Sequence, residues 1–285
     1  MLGRTLLIAA ALFGGTAFGQ ELEFPQEPTS LQAENQAVNP LPTAQPTDSK
    51  QQKHRVSPEL RTKVNQLLEQ GKPEAALKLI SEALSNDGNN PELFLLRASV
   101  LCRWGRLAPC LEDANRAVAA DKEYAPSYYM RALVLLDSKR ARDAMADCEV
   151  VVEKAPDRPI GYNCRGLAYR DLSDFPRALA EFDEALKRDP KYVFAPYNKG
   201  QIYAMQNDHD AAIASFTAAI EINDRHDDSF ARRGKSRLAK GDVEGARADF
   251  QKALSLNGQN FIAVAGMQGF QVAKALELLS VKASR

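Results

Sequence analysis

Seven side chains supply the chain's strongest nucleophiles and softest metal ligands: Cys102, Cys110, Cys148 and Cys164, with His54, His209 and His226. A zinc site needs such residues in close pairs along the chain. No histidine has a second His or Cys at ligand spacing, so each reads as a lone surface histidine. The sequences that would position a metal-bound water, an activated serine or a phosphate (HExxH, GxSxG, a P-loop, GxGxxG) do not occur. The acidic run NDRHDD at 223–228 lacks the glycine turn and distal glutamate of a calcium loop, and reads as a solvated turn. Glu181 and Asp249 lie near Lys187 and Lys252 and read as surface ion pairs, each worth about a few tenths of a kcal/mol. No residue is assigned as catalytic or as a metal ligand, and no cofactor is implied.

The cysteines are left with disulfide chemistry. Four of them permit two bridges, in three connectivities, in an oxidising compartment. The N-terminus, MLGRTLLIAAALFGGTAFGQ, points to such a compartment. Arg4 precedes an uncharged apolar run from Leu6 to Phe18, and Ala17 and Gly19 hold the small-residue positions of a cleavage site. Residues 1–19 therefore read as a secretory signal peptide. The run is short for a bilayer, which takes about 20 residues to cross, and no membrane span is expected after cleavage. The expected location is outside the cytoplasm: the periplasm of a bacterium, otherwise the extracellular space. Residues 20–56 change character, with Pro25, Pro28, Pro40, Pro42 and Pro46 among Gln, Glu, Ser and Thr. They read as a disordered linker, with too little apolar surface to offset ordering. Lys plus Arg and Asp plus Glu are 37 each, a balance that gives no support to nucleic-acid binding.

What must position these side chains is legible as a repeat. Stepping from Gly166 by 34 residues gives Gly200 and Gly234 forwards, then Ala132, Ala98 and Val64 backwards. Ala178 leads likewise to Ala212, Ala246, Ala144, Cys110 and Ala76, and Phe182 to Phe216, Phe250, Cys148, Ala114 and Ile80. Six copies follow without insertion: 57–90, 91–124, 125–158, 159–192, 193–226 and 227–260. In the fourth, Tyr162, Gly166 and Tyr169 share one helical face, and Ala178, Phe182 and Ala185 share another. Asp174 caps the second helix and Asp189-Pro190 stops it. Each copy is a helical hairpin whose apolar stripes are hidden only by stacking on its neighbours. Gly166 and Ala178 read as the small pair where the two helices of a hairpin approach most closely. Residues 261–285 begin one more helix and a tail. That helix reads as a cap, with Phe261, Val264, Ala265, Gln268 and Val272 on one face and spare apolar residues on others, so a homodimer through it is the alternative.

The order Tyr162, Gly166, Tyr169, Ala178, Phe182, Ala185, Pro190 resembles the tetratricopeptide repeat closely, in register from residue 57 onward. The resemblance implies an all-α, right-handed superhelical solenoid of helix-turn-helix repeats with a C-terminal capping helix. It also implies that first helices line a concave wall that holds a protein or peptide partner. Wall positions fall on Leu95 and Leu96; Tyr129, Met130 and Leu133; Asn163, Leu167 and Arg170; Phe194, Tyr197, Asn198 and Gln201; Arg232 and Lys235. The family's two-carboxylate clamp is matched only by Asn198 and Arg232, with Asp228 opposing a carboxylate. Cys102 and Cys110 fall on the two helices of one hairpin, and Cys148 and Cys164 on adjoining helices of neighbouring repeats. A bridge or buried free thiols fit either pair. The basic residue before each small helix position (Lys63, Arg97, Arg131, Arg165, Lys199, Arg233) reads as structural, its stem packed between repeats and its charge paired. Together these features read as an exported, noncatalytic scaffold; the alternative is an envelope protein that self-associates through its last helix.

Overall fold

The computed structural model describes residues 55–271. The expected signal peptide at 1–19, nearly all of the linker at 20–56 and the tail from 272 lie outside the described residues. Two compact units have described residues 55–195 and 196–271. The regular elements are helices: α1 (Pro58–Glu69), α2 (Pro73–Asn86), α3 (Pro91–Arg103), α4 (Leu107–Ala120), α5 (Ala125–Asp137), α6 (Ala141–Lys154), α7 (Pro159–Asp171), α8 (Phe175–Arg188), α9 (Phe194–Met205), α10 (His209–Ile222), α11 (Asp227–Ala239) and α12 (Val243–Leu256). Residues 261–271 are also helical. Odd-numbered helices are the first, and even-numbered the second, of each hairpin.

The turn inside every hairpin is the same object. Residues 71, 105, 139, 173, 207 and 241, each 34 apart, have φ between 59° and 82°. The N–H of that residue bonds the carbonyl three back, as in Ser173 to Arg170, and the next N–H bonds the carbonyl five back, as in Asp174 to Tyr169. This is the Schellman closure, which satisfies the last carbonyls of the first helix. Glycine fits it at 71, 105 and 241; Lys139, Ser173 and Asn207 adopt it at a cost of about 1 kcal/mol or more. The following residue differs between the halves of the chain. Asp174, Asp208 and Asp242 accept the N–H of Arg177, Ala211 and Gly245 and cap α8, α10 and α12. Lys72, Arg106 and Arg140 stand in the same place and make no side-chain cap. An Asp cap is worth about 1 kcal/mol.

Packing inside a hairpin turns on two positions 16 residues apart. A Cβ placed on Gly166 would lie 2.5 Å from the Phe182 ring, on Gly200 2.6 Å from Phe216, and on Gly234 2.9 Å from Phe250. The contact that excludes a side chain at Gly166 is therefore the Phe182 ring, which corrects the reading that paired it with Ala178. In repeats 2 and 3 these positions hold Ala98 with Ala114 and Ala132 with Cys148, all fully buried. Where the ring is missing, the glycine is missing too.

Three of the four cysteines lie in those ring-poor repeats, and Cys164 lies in repeat 4. Cys102 of α3 is bonded to Cys110 of α4, with Cα atoms 5.5 Å apart, and Cys148 of α6 to Cys164 of α7, with Cα atoms 5.4 Å apart. The first closes one hairpin and the second fastens repeat 3 to repeat 4. All four residues are buried.

Arginine forks tie second helices together. Arg97 Nε and Nη2 donate to Asp113 at 2.6 and 2.7 Å, while Nη1 reaches back to Ser81 Oγ at 3.2 Å. Arg131 does the same with Asp147 and Asn115, and Arg233 with Asp249 and Thr217. The bidentate geometry holds Arg97 and Arg131 firmly charged, the carboxylate bond outweighing partial burial. Arg165 meets the longer Glu181 through Nη2 at 2.8 Å, and its buried Nε has no hydrogen-bond partner. Asp249 is thus a buried partner of Arg233 and Arg237 rather than a surface partner of Lys252, and Glu181 serves Arg165 rather than Lys187.

The last described helix packs on repeat 6. Ile262, Ala263 and Phe270 join Phe250, Phe230 and Ala253 in one buried cluster. The Phe250 ring is flanked by two glycines, since a Cβ on Gly266 would approach it to 2.4 Å. On the face that Phe261 and Val264 share with them, Ala265 and Gln268 are exposed. The side turned to repeat 6 carries Ile262, Ala263, Gly266 and Phe270.

Candidate functional site

Every predicted wall residue sits on a first helix. Within residues 55–195, α3 touches α5 and α5 touches α7, so first helices are direct neighbours as well as hairpin partners. Leu95 and Leu96 of α3, Tyr129, Met130 and Leu133 of α5, and Asn163 and Leu167 of α7 are buried. Arg170, half-buried, donates to Asp171 at 2.7 Å. Phe194 is half-buried and stands edge-on to Tyr192, ring centroids 5.5 Å apart. The seven buried side chains therefore pack inside the protein and are not an open wall, which corrects the expectation for them; Arg170 and Phe194 keep part of their surface exposed.

Within residues 196–271 the corresponding positions are polar. Arg232 Nε donates to the Tyr197 hydroxyl at 2.9 Å, its guanidinium 5.7 Å from the ring centroid. Gln201 Nε2 donates to Asn198 Oδ1 at 3.1 Å. Tyr197 packs edge-on against His226 with centroids 4.9 Å apart. His226 Nδ1 lies 2.7 Å from Ser229 Oγ. Lys235 is exposed, while Gln201 and Arg232 are half-buried. His226 is buried, against the expectation of a surface ring. Burial pushes it down to about 4; Asp227 opposes this and Arg232 reinforces it, so the ring is neutral at pH 7. An aromatic ring, two amides and two cations on consecutive first helices can hold a peptide backbone and a carboxylate, while the His226–Ser229 pair beside them is buried.

Two polar knots escaped the sequence reading. Glu92, at the start of α3, accepts from the Val56 N–H at 2.9 Å, from Arg61 Nη2 at 2.9 Å and from the Tyr124 hydroxyl at 3.0 Å. Burial and the Glu92 charge both raise the Tyr124 hydroxyl. At the other end, Asn260 Nδ2 donates to Asp227 and Asp228, each at 2.8 Å, and its Oδ1 accepts the Ala263 N–H. The acidic turn at 223–228 is therefore an anchor for the last helix, at least through Asp227 and Asp228. The only signal in sequence is Asn at the last position of a repeat, just before a helix. Among the described residues no group of three or more His, Cys, Asp and Glu is placed to hold a metal ion. Among them, no helix is long and apolar enough to cross a membrane.

Hairpins on a 34-residue register, each closed by the same turn and stacked through position-matched core pairs, define a helical-repeat protein built by nearest-neighbour packing. Family models described as tetratricopeptide repeat match residues 165–227 and 228–260, and the chain is a tetratricopeptide-repeat protein. Among solved structures it is similar to a thermophilic tetratricopeptide-repeat protein of Thermus thermophilus, with 21% identity over 65% of this chain and 98% of that one, at a TM-score of 0.57. It is also similar to PilW, described as a widely conserved type IV pilus biogenesis factor, with 15% identity over 74% of this chain and 100% of that one, at a TM-score of 0.59. At these identities the likeness establishes the fold. A search among curated proteins gives no match.

Proposed function

We propose that the chain is an exported, noncatalytic scaffold that holds a protein or peptide partner along its first helices. The observation that carries this reading is the Tyr197–Arg232 contact beside the Asn198–Gln201 pair, a ring, a guanidinium and amides on consecutive first helices. Arg232 and Lys235 on the second of these helices favour a partner with an acidic or carboxylate end. Export rests on the N-terminal sequence and fits the two disulfides, which persist in oxidising compartments; the periplasm of a bacterium is the favoured location.

The test is capture from an envelope extract by the full chain and by an Arg232→Ala/Lys235→Ala variant, which spares Tyr197 and its packing on Phe216 and His226. A partner retained by the parent should bind the variant at least about tenfold more weakly, as expected when charged anchors are lost. Equal affinity sinks the groove assignment. Export is checked separately by N-terminal sequencing of the mature protein, which should begin at Gln20.

A further inference from the structure

The hairpin turns change sign along the chain, and the change runs against helix stability. In repeats 2 and 3 the turns carry Arg103, Arg106, Lys139, Arg140 and Arg142, all exposed, with the exposed Trp104 among them. Arg106 and Arg140 occupy the caps of α4 and α6, at the positive end of the helix dipole, where a cation is disfavoured and neither side chain caps. Arg140 holds Asp143 at 2.7 Å; buried Asp137 is the one acid within the turns themselves. In repeats 5 and 6 the same turns carry Asp208, Asp210, Asp242 and Glu244, all exposed, against Lys240, which pairs with Asp210, and half-buried Arg237, 3.7 Å from Asp242. Met205 and Val243 are exposed beside them. The formal charge of the whole chain is zero, so this is segregation rather than excess.

We propose that the basic turns of repeats 2 and 3 dock on the acidic turns of repeats 5 and 6 of a second copy of this chain. Charge complementarity selects the partner, because the chain carries both signs on equivalent turns. Spacing supports it, because two successive turns face two successive turns built on one repeat and closed by one backbone motif. Trp104 on one side and Met205 with Val243 on the other supply apolar contact within the charged rim. The contact is head-to-tail: each copy keeps an unused edge of either sign, so assembly proceeds to rings or filaments. It is distinct from the groove, and from the last helix.

The full chain is examined by light scattering and sedimentation at low ionic strength over a wide concentration range. Self-association is expected, weakening at least about tenfold on moving to physiological salt. Arg106→Asp/Arg140→Asp should melt at a higher temperature than the parent, since each Asp caps its helix, and yet remain monomeric. Asp210→Lys/Glu244→Lys, which leaves the caps Asp208 and Asp242 intact, should also be monomeric. Mixing the two variants should restore association. A parent that is monomeric throughout overturns the proposal, as does undiminished association of the Arg variant, which would place the contact elsewhere. Binding of the parent to anionic vesicles through the same arginines, without self-association, overturns it in favour of a membrane surface.

Discussion

Repeats 2 and 3 and repeats 4 to 6 reach the same backbone by different means. In repeats 4 to 6 a glycine lies under a phenylalanine ring and an aspartate caps each second helix. In repeats 2 and 3 the ring is replaced by Ala114 or Cys148, and the cap by Arg106 or Arg140. Both disulfides begin in these two repeats, as if covalent closure replaced the lost core volume. A phenylalanine buries enough surface to contribute about 2–3 kcal/mol, and a disulfide contributes a similar amount. One fold therefore tolerates two stabilising chemistries, one needing an oxidant and one needing none.

This contrast can be broken most directly by reduction. Replacing all four cysteines by alanine should cost about 2–4 kcal/mol per bridge, lower the melting temperature, and open repeats 2 to 4 to hydrogen exchange before repeats 5 and 6. Uniform exchange would erase the distinction. Acid should strike the opposite region. His226 is neutral when folded, near 4, and titrates near its ordinary value of 6.5 when unfolded. The unfolded chain thus takes up the extra proton between these values. Stability is full above pH 6.5 and declines by up to about 3 kcal/mol as pH falls toward 4. Exchange in repeats 5 and 6 at pH 5, compared with His226→Gln, tests this. Gly166→Ala should cost about 1–3 kcal/mol by overpacking against Phe182, whereas Ala132→Gly should cost about 1 kcal/mol, the helix-interior penalty alone; denaturant midpoints measure both. The smallest effect is a gain. Glu181→Asp shortens the carboxylate to the length used in repeats 2, 3 and 6, and should add about 0.5–1 kcal/mol by giving Arg165 Nε a partner.

The hairpins were legible in the sequence because periodicity survives any residue-level variation that preserves size. Their closest contacts were less so. Gly166 could be seen to need a close neighbour, yet helical faces do not say which residue of the facing helix arrives, and Phe182 reached it instead of Ala178. Asp249 looked like a surface carboxylate because Lys252 is near in sequence, while its true partner, Arg233, is 16 residues away. The last helix showed several apolar faces, and the one turned to repeat 6 includes Gly266, which hydropathy ranks below Ala265 but which lets the Phe250 ring approach. The repeat register brought Cys102 to Cys110 and Cys148 to Cys164, but whether they are bridged needed three dimensions, because core sulfurs suit a thiol and a bridge equally well. The register put the wall residues on first helices, but it could not say which side of each helix is covered, and Leu95, Met130, Asn163 and Leu167 are buried.

The arginine forks have a consequence for how the chain can be divided. Arg97 grips its own hairpin through Asp113 and the preceding one through Ser81, 16 residues on either side. The smallest self-satisfied block is therefore a second helix, a first helix and another second helix, half a repeat out of phase with the hairpin. A fragment that begins and ends on a second helix keeps every fork it contains whole, whereas one that begins on a first helix loses that arginine's bond to the preceding repeat. Folding that grows along the chain should advance in these overlapping triplets, each new helix being locked only when the one after it arrives.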